Sequence, residues 1–196
     1  MRRILIASVT FGFLASGLVA SAAELTPVPV AAGVAKLSPD NSKIQFVGTH
    51  VGPKPDPRTG GFAKFSGQVH VDSSAKTLKT VSVDIDTSSL WTEIPMLTTH
   101  LKSADFFEVR QHPAAKFVST KITASEGKSQ ITGNLTLHGV TKELTFPAAV
   151  QIGERGLTLS SEFSIDRSDF GMTFGPDKVV NKVTLTVVVG EKSQPK

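Results

Sequence analysis

The 196-residue sequence contains no cysteine. Disulfide bonds therefore cannot stabilise the fold, a lipid-modified N-terminal cysteine is excluded, and no thiolate is available as a metal ligand. Neither sign of charge is in large excess, because the sequence has 21 Lys and Arg residues and 17 Asp and Glu residues. These charges are scattered rather than clustered. The composition thus predicts neither a nucleic-acid-binding patch nor a polybasic membrane-binding patch.

The five histidines lack the spacing that metal sites usually show. None of them forms an H-x-H or H-x-x-x-H pair, so the sequence predicts no metal site and no cofactor. His70 and His138 fall on polar strand faces, where a solvated imidazole is expected. A G-x-S-x-G nucleophile elbow is also missing, so nothing in the sequence predicts a serine hydrolase.

A single long apolar run lies near the N-terminus, at residues 4–19, directly after Arg2 and Arg3. The small-residue pattern Ala20-Ser21-Ala22 follows it, which completes the three parts of a secretory signal peptide. We expect a signal peptide over residues 1–23, cleaved after Ala22 or Ala23, and a protein that works in the periplasm or outside the cell without stable membrane insertion. Residues 24–37, with little charge and no periodicity, are expected to be a linker.

Alternating apolar and polar residues fill most of residues 38–192, the predicted domain. This period-two pattern is typical of antiparallel strands, and short glycine-containing connections favour neighbouring hairpins. The pattern predicts an all-β fold, a single barrel of about eight antiparallel strands. The residues expected to point inward are Phe65, Val69, Val83, Leu135, Leu137, Phe163, Leu185 and Val187, with Gln68, Asp84, Asn134 and Thr186 pointing outward.

Two irregular segments and several small residues indicate whether the predicted barrel encloses an interior cavity. Residues 97–122 contain helical spacing that ends at Phe106 and Phe107, which predicts a short helix inserted between strands as a plug, or a helix packed on an ordinary sandwich. Residues 52–61, with prolines at alternate positions, are expected to form a rim loop. The small inward residues Gly67, Gly133, Ala148 and Ser161 would leave space along the barrel axis.

Arg167 is the charged residue with the clearest choice of roles. It ends a predicted strand, so its guanidinium could bind a phosphate or carboxylate head group at the barrel rim. It could equally pair with Asp166, Asp169 or Glu162, and the sequence favours this ion pair.

Six motifs together resemble the YceI-like family of secreted, polyisoprenoid-binding, lipocalin-like proteins. They occur in the family's order and span about residues 39–189. The matching stretches are N-S-K-I-Q-F at 41–46 followed by His50, G-F-A-K-F-S-G at 61–67, T-T-H-L-K-S-A-D-F-F at 98–107, His112-Pro113 with Phe117 and Ser119, G-N-L-T-L-H-G-V-T-K at 133–142, and R-S-D-F-G-M at 167–172. The resemblance implies an antiparallel barrel that wraps a long isoprenoid chain and catalyses no reaction.

The function expected on these grounds is to carry or sequester a polyisoprenoid or a similar long-chain amphiphilic lipid. The alternatives are an enzyme acting on such a lipid, using His100 or His138 with Asp105 or Asp169, and a ligand-free stress or interaction protein with a filled barrel. The sequence leaves open whether the protein forms a homodimer. The expected ligand-binding residues are Phe46, Phe65, Phe106, Phe107, Phe163 and Met172 in the lining, with His100 and Arg167 at the mouth.

Overall fold

The computed structural model describes residues 25–54, 56–125 and 128–193. The predicted signal peptide lies outside these residues. The described residues form twelve strands and one short helix, α1. In chain order they are β1 (Val30–Ala31), β2 (Val34–Leu37), β3 (Ser42–His50), β4 (Asp56–Phe62), β5 (Phe65–Asp72), β6 (Thr77–Asp86), β7 (Leu90–Thr92), α1 (Pro95–Leu101), β8 (Ala114–Ser125), β9 (Lys128–Leu137), β10 (Val140–Gly153), β11 (Gly156–Asp166) and β12 (Lys182–Val189).

All twelve strands belong to one antiparallel sheet in the order β1-β2-β5-β6-β8-β9-β10-β11-β12-β3-β4-β7. The sheet curls, and its apolar face points inward. The predicted inward set is confirmed, because all eight residues lie in the apolar core or on the interior cavity. Gln68, Asp84 and Asn134 are exposed, and Thr186 is half-buried.

The predicted count of eight strands is wrong, and two corners explain part of the difference. Only two residues separate β4 from β5, while a 3-10 turn at Thr87–Ser89 separates β6 from β7. The backbone N–H of Ala63 donates to the Ser89 carbonyl at 3.2 Å, and that of Asp86 donates to the Lys64 carbonyl at 3.1 Å. β4 and β5 are therefore the two halves of one long bent strand, and β6 and β7 are the two halves of its neighbour. The two long strands pair with each other on both sides of the corner.

The other two additional strands come from the segment expected to be a linker. β1 and β2 pair with each other, and β2 pairs with β5. Ala35 is fully buried, Leu37 is buried, and Val28 bridges to Leu157. The linker prediction is wrong because a four-residue strand is too short to show periodicity, although its alternate side chains enter the core.

The proline-rich rim loop is also shorter than predicted, because β4 begins at Asp56. Along residues 56–59 this strand pairs with β3 alone, since β7 contacts only Gly60, Gly61 and Phe62. Pro57 thus occupies an edge position, where a missing N–H donor leaves no ladder bond unsatisfied. Among the described residues, no helix is long and apolar enough to cross a membrane.

Three strand ends share an Asp-x-Ser turn. The carboxylates of Asp72, Asp86 and Asp166 each accept hydrogen bonds from the backbone N–H and the hydroxyl of the serine two residues later. In each case the serine hydroxyl is the main cause that lowers the pKa of the aspartate below its usual value. The turns therefore stabilise the fold only while these carboxylates are ionised.

We expect the protein to lose stability in acid through these three turns. A carboxylate whose pKa is lower in the folded state stabilises the fold above its unfolded pKa, about 3.9, and that contribution disappears as the pH falls through the folded value. Urea unfolding between pH 7 and acid conditions measures the effect. Asp72→Asn should flatten this pH dependence more than Asp84→Asn, whose carboxylate is exposed and pairs with exposed Lys116. Equal pH dependence in both variants would contradict the assignment.

Candidate functional site

The curled sheet surrounds a cavity of about 650 Å³. Leu135, Phe163 and Leu185 point inward and line this cavity, yet they remain partly exposed. An inward side chain keeps accessible surface only when it faces open space, so the interior is hollow rather than filled. The volume lies within the ~300–1,000 Å³ range of small-molecule sites. Aliphatic side chains are the largest group in its lining, among them Ile44, Val81, Val83, Ile85, Leu97, Leu101, Ile131, Leu135, Leu137, Leu144, Leu159, Ile165, Val183, Leu185 and Val187.

Phenylalanine rings cover two parts of the lining. Phe46, Phe62 and Phe107 form one group, with ring centroids 5.9–6.2 Å apart. In the second group, Phe146 stacks on Phe163 with centroids 4.2 Å apart and contacts Phe117 at 5.4 Å. Aromatic rings bury a large apolar area in a fixed shape, so both groups give the cavity rigid apolar walls.

Two glycines make room for these rings. A Cβ atom at Gly60 would lie 2.4 Å from Cζ of Phe46, and one at Gly133 would lie 2.5 Å from Cζ of Phe117. Any larger residue would force the ring away. The small inward residues therefore do not create the open space as expected: Ser161 lines the cavity, whereas Gly67, Gly133 and Ala148 do not.

The cavity opens where its lining residues become exposed. His50, Val51 and Lys178 are exposed and line this end. Two backbone hydrogen bonds hold the mouth together, from Val51 N–H to the Lys178 carbonyl at 2.8 Å and from Val180 N–H to the Thr49 carbonyl at 2.9 Å. The irregular segment after Met172 is thereby pinned to the end of β3.

His100 lies at the mouth in contact with two rings. Its imidazole makes edge contacts with Phe106 and Phe174 at centroid distances of 5.1 Å, and its Nε2 lies 2.8 Å from Oδ2 of Asp105. The Ser103 hydroxyl donates to the His100 main-chain carbonyl rather than to the imidazole. The histidine and carboxylate of the enzymatic alternative therefore meet, but this neighbouring hydroxyl is not positioned as a nucleophile.

Arg167 is 3% exposed and lines the cavity from the 3-10 turn Arg167–Phe170. Its guanidinium donates to the carbonyls of Met172 at 2.7 Å and Val179 at 3.1 Å, and its centre lies 5.9 Å from the Phe106 ring centroid. Its buried Nε has no hydrogen-bond partner. Burial lowers the pKa of Arg167 because desolvation disfavours its charge.

The ion pair that the sequence favoured for Arg167 is wrong. Within the described part of the chain, no carboxylate forms a salt bridge with Arg167. The Asp166 carboxylate accepts from Ser168 instead and acts on Arg167 only as a nearby charge. A buried cation with unused N–H donors is therefore left beside the apolar cavity, a place suited to an anionic or strongly accepting group.

The structure brings seven of the eight predicted site residues to one cavity. Phe46, Phe106, Phe107, Phe163, Met172, His100 and Arg167 all line it, whereas Phe65 is buried in the core near the β4–β5 corner and does not. Alternation identifies the face of a strand but not the depth of a residue along it. The predicted set missed Phe62, Phe117, Phe146 and Phe174. Phe117 and Phe146 follow the inward alternation and were recoverable, while Phe174 lies in an irregular segment without a pattern.

Several known proteins are similar to this chain in sequence, in fold or in both. The family model of the YceI-like domain matches residues 36–190. A UPF0312 protein of Pseudomonas putida is 36% identical over 138 residues, covering 66% of this chain and 71% of the relative. The crystal structure of Burkholderia cenocepacia BcnA superposes with a TM-score of 0.68 at 28% identity, covering 76% of this chain and 94% of BcnA. A polyisoprenoid-binding domain from Saccharophagus degradans, implicated in plant cell wall breakdown, shares the fold with a TM-score of 0.62 at 16% identity, over 85% and 97% of the two chains.

Proposed function

The chain belongs to the YceI-like domain family, and from this membership and its hollow interior we propose that it binds a polyisoprenoid or similar long-chain amphiphilic lipid. It acts as a carrier or sequestering protein and catalyses no reaction. The observation that carries the proposal is the apolar cavity of about 650 Å³ with partly exposed inward side chains. A filled interior, as a ligand-free interaction protein would have, is not consistent with that cavity.

The physical basis of binding is the removal of hydrocarbon from water. Each buried CH₂ group contributes about 0.8 kcal/mol, so a chain of several isoprene units supplies the affinity without many polar contacts. The polyisoprenoid-binding domain of Saccharophagus degradans has the same fold, and its ligand class is the first to test. The hydrogen bonds across the β4–β5 corner join the two neighbouring long strands there. This supports a sheet that closes into a barrel around such a chain.

The charged and ionisable side chains of the described lining, Arg167 and Lys178 among them, lie toward one end of the cavity, which gives the ligand an orientation. The hydrocarbon occupies the aromatic-lined interior, while the head group stays near His100, Arg167 and the exposed mouth. Arg167 offers five N–H donors, of which two are committed to carbonyls, so it prefers a ligand with a strong acceptor such as a phosphate.

We also propose that the protein works in the periplasm or outside the cell. The support is the signal-peptide pattern of residues 1–23. N-terminal sequencing of protein from the extracytoplasmic fraction tests it, with Ala23 or Glu24 expected as the first residue. Retention of Met1 would contradict the proposal.

A series of prenyl alcohols of increasing length tests the lipid-binding function directly. Displacement of an environment-sensitive apolar dye from the cavity gives the affinity of each alcohol. We expect the affinity to rise at least roughly tenfold per isoprene unit, because each unit buries several carbons, and then to level off once the cavity is full. An affinity independent of chain length would show that the hydrocarbon does not enter the cavity.

A further inference from the structure

Three metal-ligating side chains meet outside the lipid cavity. Oε2 of Glu108 lies 3.9 Å from Nε2 of His112 and 3.9 Å from Nε2 of His138, and one ligand atom from each residue lies within 4.8 Å of the others. The two imidazole centroids are 4.4 Å apart. None of the three residues lines the cavity. These separations are too long for hydrogen bonds, so hydrogen bonding between the three groups does not explain their convergence.

Local backbone geometry directs Glu108 and His112 to one side. The backbone N–H of His112 donates to the Glu108 carbonyl at 2.9 Å, which closes one helical turn. Residues four positions apart on such a turn present their side chains on the same face. Glu108 itself has φ +42°, a conformation that is costly for a non-glycine residue.

His138 arrives from the hairpin between β9 and β10. Leu137 pairs with Val140, so His138 and Gly139 form a two-residue turn with φ values of +51° and +75°. Asn-Gly is the usual pair in this turn. Histidine occupies the place where asparagine is favoured, and its side chain points toward Glu108 and His112.

One hydrogen bond fixes the His138 tautomer. Its Nδ1 lies 3.0 Å from the Phe170 carbonyl, which can only accept, so Nδ1 carries the proton. In the neutral ring, Nε2 then carries a free lone pair, and this buried atom has no hydrogen-bond partner. A histidine that donates one ring N–H to a carbonyl and presents the other nitrogen is the usual arrangement of a metal ligand.

Gly139 leaves room for one of the imidazoles, because a Cβ at this position would lie only 2.9 Å from Cε1 of His112. The Glu108 and His112 side chains are 30% and 28% exposed, so an ion can reach the site from solvent.

We propose that Glu108, His112 and His138 bind a divalent transition-metal ion, with zinc as the preferred ion. Two imidazoles and a carboxylate are typical zinc ligands, and the 3.9 Å separations exceed the ~3.4 Å edge of a tetrahedral zinc site by an amount that side-chain rotation can close. Glu108 directly follows Phe107, which lines the lipid cavity. The ion therefore links the segment after α1 to the β9–β10 hairpin.

Metal titration of the full chain, without a polyhistidine tag and stripped by a chelator, tests this site. His138→Asn is the main variant because asparagine is favoured in the turn, so the hairpin is retained while the imidazole is removed. Glu108→Gln is the second, because it keeps the side-chain shape. His70→Asn is the matched control, since His70 is exposed on the outer face of β5.

We expect one Zn²⁺ or Co²⁺ ion per chain for the unaltered protein and for His70→Asn, with tetrahedral cobalt absorption in the visible. Both site variants should bind at least about tenfold more weakly, and Zn²⁺ should raise the melting temperature of the unaltered protein and of the control but not of His138→Asn. Equal affinity in the unaltered protein and His138→Asn, or a loss only in His70→Asn, would overturn the proposal.

Discussion

Replacing Leu135 with tryptophan is expected to remove most of the lipid affinity while leaving the fold stable. Leu135 points into the cavity from β9 and is partly exposed there, so a larger ring extends into open space. If the indole displaces about three methylene groups of the ligand, at about 0.8 kcal/mol each, the affinity falls about 50-fold. Dye displacement by a long prenyl alcohol measures this change.

Asn134→Trp is the matched control, because Asn134 is the preceding residue on the same strand and faces solvent. This variant should bind lipid like the unaltered protein. The stability of Leu135→Trp separates a hollow interior from a filled one. A hollow interior predicts a change of less than about 1 kcal/mol in the free energy of unfolding, whereas overpacking of a filled core costs about 1–3 kcal/mol. Full lipid affinity in Leu135→Trp would contradict the proposed binding site.

Replacing Arg167 with methionine is expected to change the choice of head group. The buried guanidinium has unused donors beside the cavity, and hydrogen bonds to charged groups are worth about 1.5–3 kcal/mol. Affinity for a prenyl phosphate should therefore fall about 10- to 150-fold more than affinity for the prenyl alcohol of the same length. Competition between the two ligands on the same variant measures this ratio.

The ratio of the two affinities is needed because Arg167→Met also destabilises the fold. The carbonyls of Met172 and Val179 lose their donors, which costs about 1–3 kcal/mol. Arg167→Lys is the matched variant: it keeps the charge, loses the planar fork, and should retain part of the preference for phosphate. Equal losses for alcohol and phosphate in Arg167→Met would return Arg167 to a structural role, as the residue that ties Met172 to Val179.

Much of the curled sheet was predictable from alternation, because a strand with one buried face must place apolar residues at every second position. Val69 and Gln68 show this directly: the first is fully buried and the second is exposed. Alternation carries no information about position along the strand, so Phe65 was placed in the cavity although it packs near a corner. Alternation can also be recognised only in a strand of sufficient length, and β2 is too short.

Contacts between distant residues were the least predictable. Asp166 is adjacent to Arg167 in sequence and Asp169 is two residues away, and this proximity favoured an ion pair. The structure instead engages Asp166 with Ser168 and turns Arg167 inward to the carbonyls of Met172 and Val179. Spacing rules likewise did not bring His112 and His138 together, because the two residues lie far apart along the chain. The Glu108–His112 spacing and the histidine in a turn that favours asparagine were the local signals present in the sequence.

The most direct measurement of the central claim is native mass spectrometry of protein purified from its own cells, without added lipid, beside Leu135→Trp prepared in the same way. We predict that the unaltered protein carries one long-chain lipid per chain, released on collisional activation, and that Leu135→Trp carries little or none. Extraction and fragmentation of the released molecule then identify its chain and head group. An unaltered protein that carries no lipid and takes none up, or a Leu135→Trp variant that carries the same lipid in equal amount, would contradict the claim that this cavity is a lipid-binding site.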